Sequence, residues 1–238
     1  MHSSFNVEPL AIAHTPFQQK FAIPRQAGLL DIPAQIELLP PYNQAIAVKG
    51  LELVSHIWLT FIFHQHLNHK PQLQVRPPRL GGNEKMGVFA TRSSFRPNAI
   101  GQSVVKLEHI EQQGDKLILH VRGLDVLDGT PIIDIKPYLP YADIITQAHN
   151  LLASEKPEKT VRVIWLDSAT HQLQQLITEK AEDYKRWISD LIAYDPRPAY
   201  KNNKHGDKES YAMCFYQLDI HWTVANAKEA HITSVQLA

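Results

Sequence analysis

The sequence predicts a mainly β protein: an N-terminal sandwich or closed barrel of short strands, followed by a smaller α+β domain. Three observations carry this. The first half of the chain is a series of short apolar or alternating runs bounded by Gly, Pro, Asn and Asp, the pattern of an all-β domain. It has no G-x-G-x-x-G between a strand and a helix, no phosphate-binding loop and no repeated β–α alternation, so a doubly wound nucleotide sheet is not the scaffold. Near Ala148 the composition shifts, and the clearest helical period of the chain follows.

Within the first half, strands are predicted at 7–14, 35–39, 56–63, 87–91, 103–108, 116–122 and 131–135. The run 116–122 alternates, with Leu117, Leu119 and Val121 on one face. The run 56–63 is apolar on both faces, which predicts a central, buried strand. Gln113-Gly114-Asp115 reads as a tight hairpin turn. A short helix fits 44–51.

Residues 142–160 are polar and uneven and read as a linker, which divides the chain into domains 1–148 and 149–238. A strand is predicted at 161–166. Leu173, Leu176, Ile177, Ala181, Tyr184, Trp187, Ile188, Leu191 and Ile192 keep helical spacing. They predict one long amphipathic helix, capped at Asp167 or Ser168 and stopped by Asp195-Pro196. A polar loop then leads to a long strand at 211–224 and a last one at 231–237.

Formal net charge is zero across 238 residues, which argues against nucleic-acid binding through global charge. Charge is unevenly placed, however. From Lys70 to Lys106 seven Lys and Arg face a single acid, Glu84, and such a local basic face can dock a polyanion. The one cysteine, Cys214, leaves no internal disulfide and suits a reducing cytoplasm. The start MHSSFNVEPL lacks the basic and apolar regions of a secretory leader, and the longest apolar run, 57–63, is too short to span a bilayer.

The stretch 76–101, RPPRLGGNEKMGVFATRSSFRPNAIG, is the most informative. It places Arg76, Arg79, Arg92, Arg96 and Lys85 against one acid, among glycines and prolines. Guanidinium groups suit bidentate capture of carboxylate and phosphate, so this reads as an anion-handling segment. Arg25 and Gln26, after a proline, are either a simple turn or another wall of that site. In LDVLDGTPIID, Asp125 and Asp128 either make an Asx turn or accept from a diol or face a cation. In DPRPAYK, two prolines stiffen a loop bearing Asp195, Arg197, Tyr200 and Lys201, which is either a helix stop or a nucleotide platform. His64, His66 and His69 lack a second ligand cluster at matching spacing, so no metal is expected. Cys214 reads as a small buried hydrophobe, and Ser93, Ser94 and Ser103 have no nucleophile-elbow context.

Together KFAIPRQ, PYNQA, FHQ, VRPPRLGG, MGVFATRSSFRPNAIG, LDVLDGTPIIDIKPYLPY and DPRPAY span nearly the whole chain. In them the sequence resembles the TsaA-like, or TrmO, family of S-adenosylmethionine-dependent tRNA methyltransferases. Ala99 stands where proline is common in relatives. The resemblance implies a β-barrel enzyme that methylates N6 of threonylcarbamoyl-adenosine at position 37 of threonine tRNAs and works as a homodimer. It implies cofactor contacts at Pro24, Arg25, Gln26, His64, Gln65, Arg92, Asp125, Val126, Leu127 and Asp128, with Gln102 just beyond the RPNAIG turn.

Methyl transfer from a sulfonium is an in-line displacement, so alignment is the main task and no metal is required. The acceptor nitrogen is conjugated with a purine and a carbonyl, which weakens its lone pair and acidifies its N–H. A carboxylate can take that proton, with Asp195 first in order and Asp128 second. Arg197 and Tyr200 join Asp195 in the catalytic set. Two other readings compete: a non-catalytic S-adenosylmethionine or nucleotide sensor, which would not need DPRPAY, and a structural RNA-binding barrel, which would display aromatics on its strands.

Overall fold

The computed structural model describes residues 5–70, 72–77, 84–197, 209–226 and 228–238. In chain order its strands are β1 Ala11–His14, β2 Pro33–Leu38, β3 His56–Ile62, β4 Gln74–Val75, β5 Met86–Gly87, β6 Ile100–Gln113, β7 Lys116–Arg122, β8 Thr130–Pro137, β9 Arg162–Trp165, β10 Ser210–Phe215, β11 Leu218–Asn226 and β12 Glu229–Leu237. The helices are α1 Pro140–Asp143, α2 Asp167–Leu176 and α3 Ala181–Ala193. The chain divides into two compact units. The first comprises Met1–Thr15, Arg25–Leu73 and Val88–Thr146; the second comprises Pro16–Pro24, Gln74–Gly87 and Gln147–Ala238.

The first unit is a closed antiparallel barrel in the order β1-β2-β7-β6-β3-β8, sealed by pairing of β8 with β1. Alternation along each strand fills its interior. Ala11, Ala13, Ile36, Ile57, Leu59, Leu119 and Ile132 are fully buried there, with Val105, Leu107, Leu117 and Val121 nearly so. Closure leaves no edge strand to pair with another chain. The outer face of β3 is covered too: Trp58 donates its indole N–H to Asp143 at 3.0 Å and lies beneath the Lys136 ammonium.

The second unit is a four-stranded sheet, β10-β11-β12-β9, with β9 parallel to β12. Helix α2 packs on β12 and α3 on β9. The segment Pro16–Pro24 joins it: Phe17 bridges Phe215, and Phe21 stacks against both Tyr211 and Trp222, at 6.4 and 5.9 Å, which themselves stack at 5.7 Å.

Four elements differ from expectation. The run 87–91 is not a strand: β5 ends at Gly87 and Val88–Ala90 form a 3₁₀ turn, because the Thr91 hydroxyl and the Arg96 guanidinium bond back onto Val88 and Thr91 carbonyls. The helix at 44–51 is two 3₁₀ turns, Ala45–Val48 and Leu51–Leu53, separated by Gly50 at φ 96°, a conformation that ends an α-helical ladder. The long helix is two helices, broken where Lys180 takes φ 63° before α3. The apolar spacing runs on across the break because α2 and α3 cover the same sheet. The strand at 211–224 is the hairpin of β10 and β11, turning at Tyr216 with φ 53°. A two-residue turn of that hand usually carries Gly or Asn, and Tyr216-Gln217 gave no such signal.

Gly101 pairs with Phe61, and a Cβ there would lie 2.4 Å from the Phe61 ring and 2.9 Å from that of Phe63. Gly101→Ala should therefore destabilise the barrel by about 1–3 kcal/mol through overpacking, read as a lowered urea midpoint with an unchanged m-value. An unchanged midpoint would mean that the two rings yield freely.

Candidate functional site

The register of the barrel gathers at one rim the segments that carry most of the predicted cofactor residues. His14 pairs with Gln35, Pro33 with Arg122, Ala13 with Thr130 and Ile62 with Ile100. The ends of β1, β3 and β7 and the starts of β2, β6 and β8 therefore lie together. The segments that carry Arg25 and Gln26, His64 and Gln65, Arg92, and Asp125 to Asp128 all leave from this rim. Pro24 belongs to the second unit.

Two glycines bring the rim segments into contact. Gly28 donates its N–H to the Gly123 carbonyl at 2.9 Å, and both residues have positive φ. A Cβ on Gly123 would meet the Gly28 backbone at 3.2 Å, so this approach requires glycine. It sets Gln26 and Ala27 beside Asp125. Ser103 Oγ, from β6, donates to Asp125 Oδ1 at 2.6 Å, and the Ala27 N–H also donates to this carboxylate. Arg92 donates to the Gln26 side-chain carbonyl and lies close enough to Asp125 to favour its charge. Burial is the largest influence on Asp125 and pushes its pKa up, against these hydrogen bonds and Arg92.

Asp128 has a different setting. Its Oδ1 accepts the Thr15 N–H at 2.9 Å, while Thr15 Oγ1 donates to the Val126 carbonyl at 2.9 Å and Thr130 Oγ1 to the Leu127 carbonyl at 2.7 Å. Val126 points its side chain into the barrel core, so only its backbone can face a ligand. His64 and His66 form a 3₁₀ turn after β3; the His66 ring sits edge-on to Phe95 at 4.6 Å and shares a hydrogen bond with Ser94 Oγ. Gln65 and Arg25 are exposed. Gln102 lies on the outer wall, against Thr60 Oγ1 at 3.4 Å, whereas its neighbour Ser103 turns inward to Asp125. Sequence reasoning set Ser103 aside as a nucleophile and missed it as a carboxylate anchor. Its parity with Val105 and Leu107 on an inward-facing strand was the available signal.

Of the basic stretch, Arg76 is exposed and Arg96 is turned back on its own loop carbonyls, while Arg79 lies outside the described residues. In the second unit Asp195 takes φ 50° just after α3. Its two oxygens accept from Arg197 Nε at 2.6 Å and Nη2 at 2.7 Å, and both side chains are nearly removed from solvent. The Asp195 bond raises the Arg197 pKa. Nearby, Tyr211 donates to Glu209, and burial together with that carboxylate pushes the Tyr211 pKa up to about 12. Tyr200 and Lys201 lie outside the described residues. Among the described residues, the only group of three side chains gathered closely enough to hold a metal ion is His109, Glu111 and His120, not the His64–His69 run.

The raised pKa of Asp125 has a stability consequence. The folded carboxyl titrates above its unfolded value, so ionisation costs folding free energy progressively as pH rises through the interval between the two values. Asp125→Asn should thus make the cofactor-free protein at least as stable as wild type at pH 7, with the gain shrinking as pH falls below that interval. Thermal melts at both ends of the range measure this. A variant less stable at pH 7 than at acid pH, relative to wild type, would show that the hydrogen bonds outweigh burial.

Comparison with known proteins bears on this geometry. Residues 12–144 match the tRNA-methyltransferase O N-terminal domain and residues 158–238 the TrmO C-terminal domain. The chain is 42% identical over 226 residues to a tRNA (adenine(37)-N6)-methyltransferase of Escherichia coli, covering 94% of this chain and 95% of that one. It is 46% identical over 218 residues to RcsF of Pseudomonas aeruginosa, assigned to the S-adenosylmethionine-dependent methyltransferases, covering 91% of each. A crystal structure of TrmO from Pseudomonas aeruginosa superposes with a TM-score of 0.81 at 36% identity, over 100% of this chain and 99% of that one. With both domain models matched in order and full-length kinship on either side, the chain belongs to the tRNA-methyltransferase O (TrmO) family.

Proposed function

We infer that this chain is an S-adenosylmethionine-dependent methyltransferase acting on N6 of adenosine 37 of tRNA. One observation carries the reading beyond kinship: the barrel register brings Gln26, Arg92, Ser103, Asp125 and Asp128 to a single rim. That set matches the cofactor in chemistry. A guanidinium suits its carboxylate, Asp125 suits its ribose diol, and backbone groups of Ala27, Val126 and Leu127 suit an adenine edge. The cofactor supplies a methyl group on a cationic sulfur. Arg92, held by Gln26, anchors the far end of such a ligand and leaves the acids for the diol and the reacting centre.

The finer reading is that the adenosine carries a threonylcarbamoyl group, that the tRNAs are threonine isoacceptors, and that the enzyme is a cytoplasmic homodimer. Its support is the run of family motifs from KFAIPRQ to DPRPAY. Among the described residues no helix is long and apolar enough to cross a membrane. We assign the second unit to tRNA binding and completion of the active site, with the Asp195–Arg197 pair as its functional element. Both Asp195 oxygens are engaged by Arg197, so Asp195 acts by fixing the guanidinium, and Asp128 becomes the first candidate to accept the N6 proton. Asp128 has one oxygen on the Thr15 amide and is partly exposed.

The direct test is incubation with labelled S-adenosylmethionine and unfractionated tRNA. Label should enter threonine tRNAs, and tRNA lacking the threonylcarbamoyl group should remain unlabelled; label in other tRNAs, or none, would reject the respective claim. Arg92→Ala should weaken cofactor binding about tenfold or more by calorimetry, and unchanged affinity would remove Arg92 from the site. Asp128→Asn should bind cofactor nearly normally yet lose about 10²-fold or more in single-turnover methylation. Asp195→Asn should lose turnover mainly through weaker tRNA binding, recovering in part at saturating tRNA. If instead Asp195→Asn abolishes the single-turnover step and Asp128→Asn does not, the two roles are exchanged.

A further inference from the structure

We propose that His109, Glu111 and His120 form a binding site for a late first-row divalent ion such as Zn²⁺, on the outer wall of the barrel away from the cofactor rim. The site is made by a β-bulge. Leu107 pairs with Val121, but His109 pairs with His120, so Glu108 is an extra residue in β6. Before the bulge the odd-numbered residues Ser103, Val105 and Leu107 face the barrel interior. After it Ile110 opposes the buried Leu119. The single extra residue therefore turns His109 and Glu111 outward, onto the face that carries His120. An uninterrupted strand would aim both inward, since a one-residue shift exchanges the two faces.

The three side chains converge closely. The His109 and His120 rings lie parallel within 11°, with centroids 4.0 Å apart. His120 Nε2 is 2.8 Å from Glu111 Oε2, and one ligand atom from each residue lies within 4.8 Å of the others. Metal–ligand bonds of about 2.0–2.2 Å place donor atoms about 3–4 Å apart, so a small rotation of the exposed His109 completes the set. An ion pair joins Glu111 and His120, and His109 adds a second imidazole stacked on the first.

Ligand chemistry selects the ion. Two imidazoles and one carboxylate suit Zn²⁺, Cu²⁺, Ni²⁺ or Co²⁺, whereas Mg²⁺ and Ca²⁺ prefer an all-oxygen shell. Three protein ligands leave room for water. The ion would cross-link β6 to β7 about 20 Å along β6 from Ser103, so its role is to tie the hairpin and not to take part in methyl transfer.

The test uses the full chain, without a histidine tag and stripped by chelator. Titration with Zn²⁺ should show one saturable site per chain, and Co²⁺ should give a visible ligand-field absorption band. Mg²⁺ should give neither. His120→Asn, His109→Gln and Glu111→Gln should each weaken Zn²⁺ binding tenfold or more, and the wild-type melting temperature should rise on addition of Zn²⁺. If His120→Asn fails to fold, the exposed His109→Gln decides. Absence of saturable Zn²⁺ uptake by the wild type, or uptake undiminished in both His109→Gln and Glu111→Gln, would overturn the proposal.

Discussion

Pairing of β1 with β8 is the interaction on which the rest of the first unit depends. β1 has only four residues, yet it bonds β2 on one side and β8 on the other, and its Ala11 and Ala13 are fully buried. Small side chains let the six strands approach without leaving a void at the closure. Without this seam the sheet would have two free edges and the Asp125–Asp128 segment would lose its tie to Thr15. With it, all strand ends are fixed in register, and segments far apart in sequence are presented side by side. Precision at the rim is thus a product of hydrogen bonding throughout the barrel wall.

The rim itself works against local stability. Asp125 is a carboxylate pushed by burial toward its neutral form and held in place by Ser103, a backbone amide and Arg92. Such strain is typical of binding sites, where a charge partly stripped of water gains from its ligand what it loses in the empty protein. Gly123 and Gly28 show the same priority in the backbone: both adopt conformations that other residues resist, so that two segments can approach closely.

The second unit solves a different problem. Asp195 and Arg197 are two residues apart and both nearly buried, an arrangement that is costly unless each charge satisfies the other. The left-handed backbone at Asp195 ends α3 and at the same step turns its carboxylate toward Arg197. A helix stop and a functional pair are therefore one feature. The stack of Phe21 with Tyr211 and Trp222 binds the Pro16–Pro24 segment into this unit, so the unit that begins in sequence near Ala148 also draws on a segment from the first half of the chain.

The sequence by itself determined the mainly β architecture, because alternation and turn residues are local signals with a fixed period. It determined the family as well, since motifs such as FRPNAIG and DPRPAY are strings that need no geometry. It marked Arg92, Asp125 and Asp128 for the same reason. Tertiary structure decided what depends on contacts between distant residues. Ser103 became an anchor only because β6 turns it inward to Asp125, while Gln102 lies on the opposite face of that strand. The hairpin at Tyr216 was unmarked by glycine or asparagine, although the buried residues change from odd at Met213 and Phe215 to even at Leu218 and Ile220, a parity change that registers only when one face is known to be inside. His109, Glu111 and His120 are unremarkable as letters. A bulge of one residue, set by pairing with β7, puts them on one face, and no periodicity along a single strand can reveal a register shift that exists only between two.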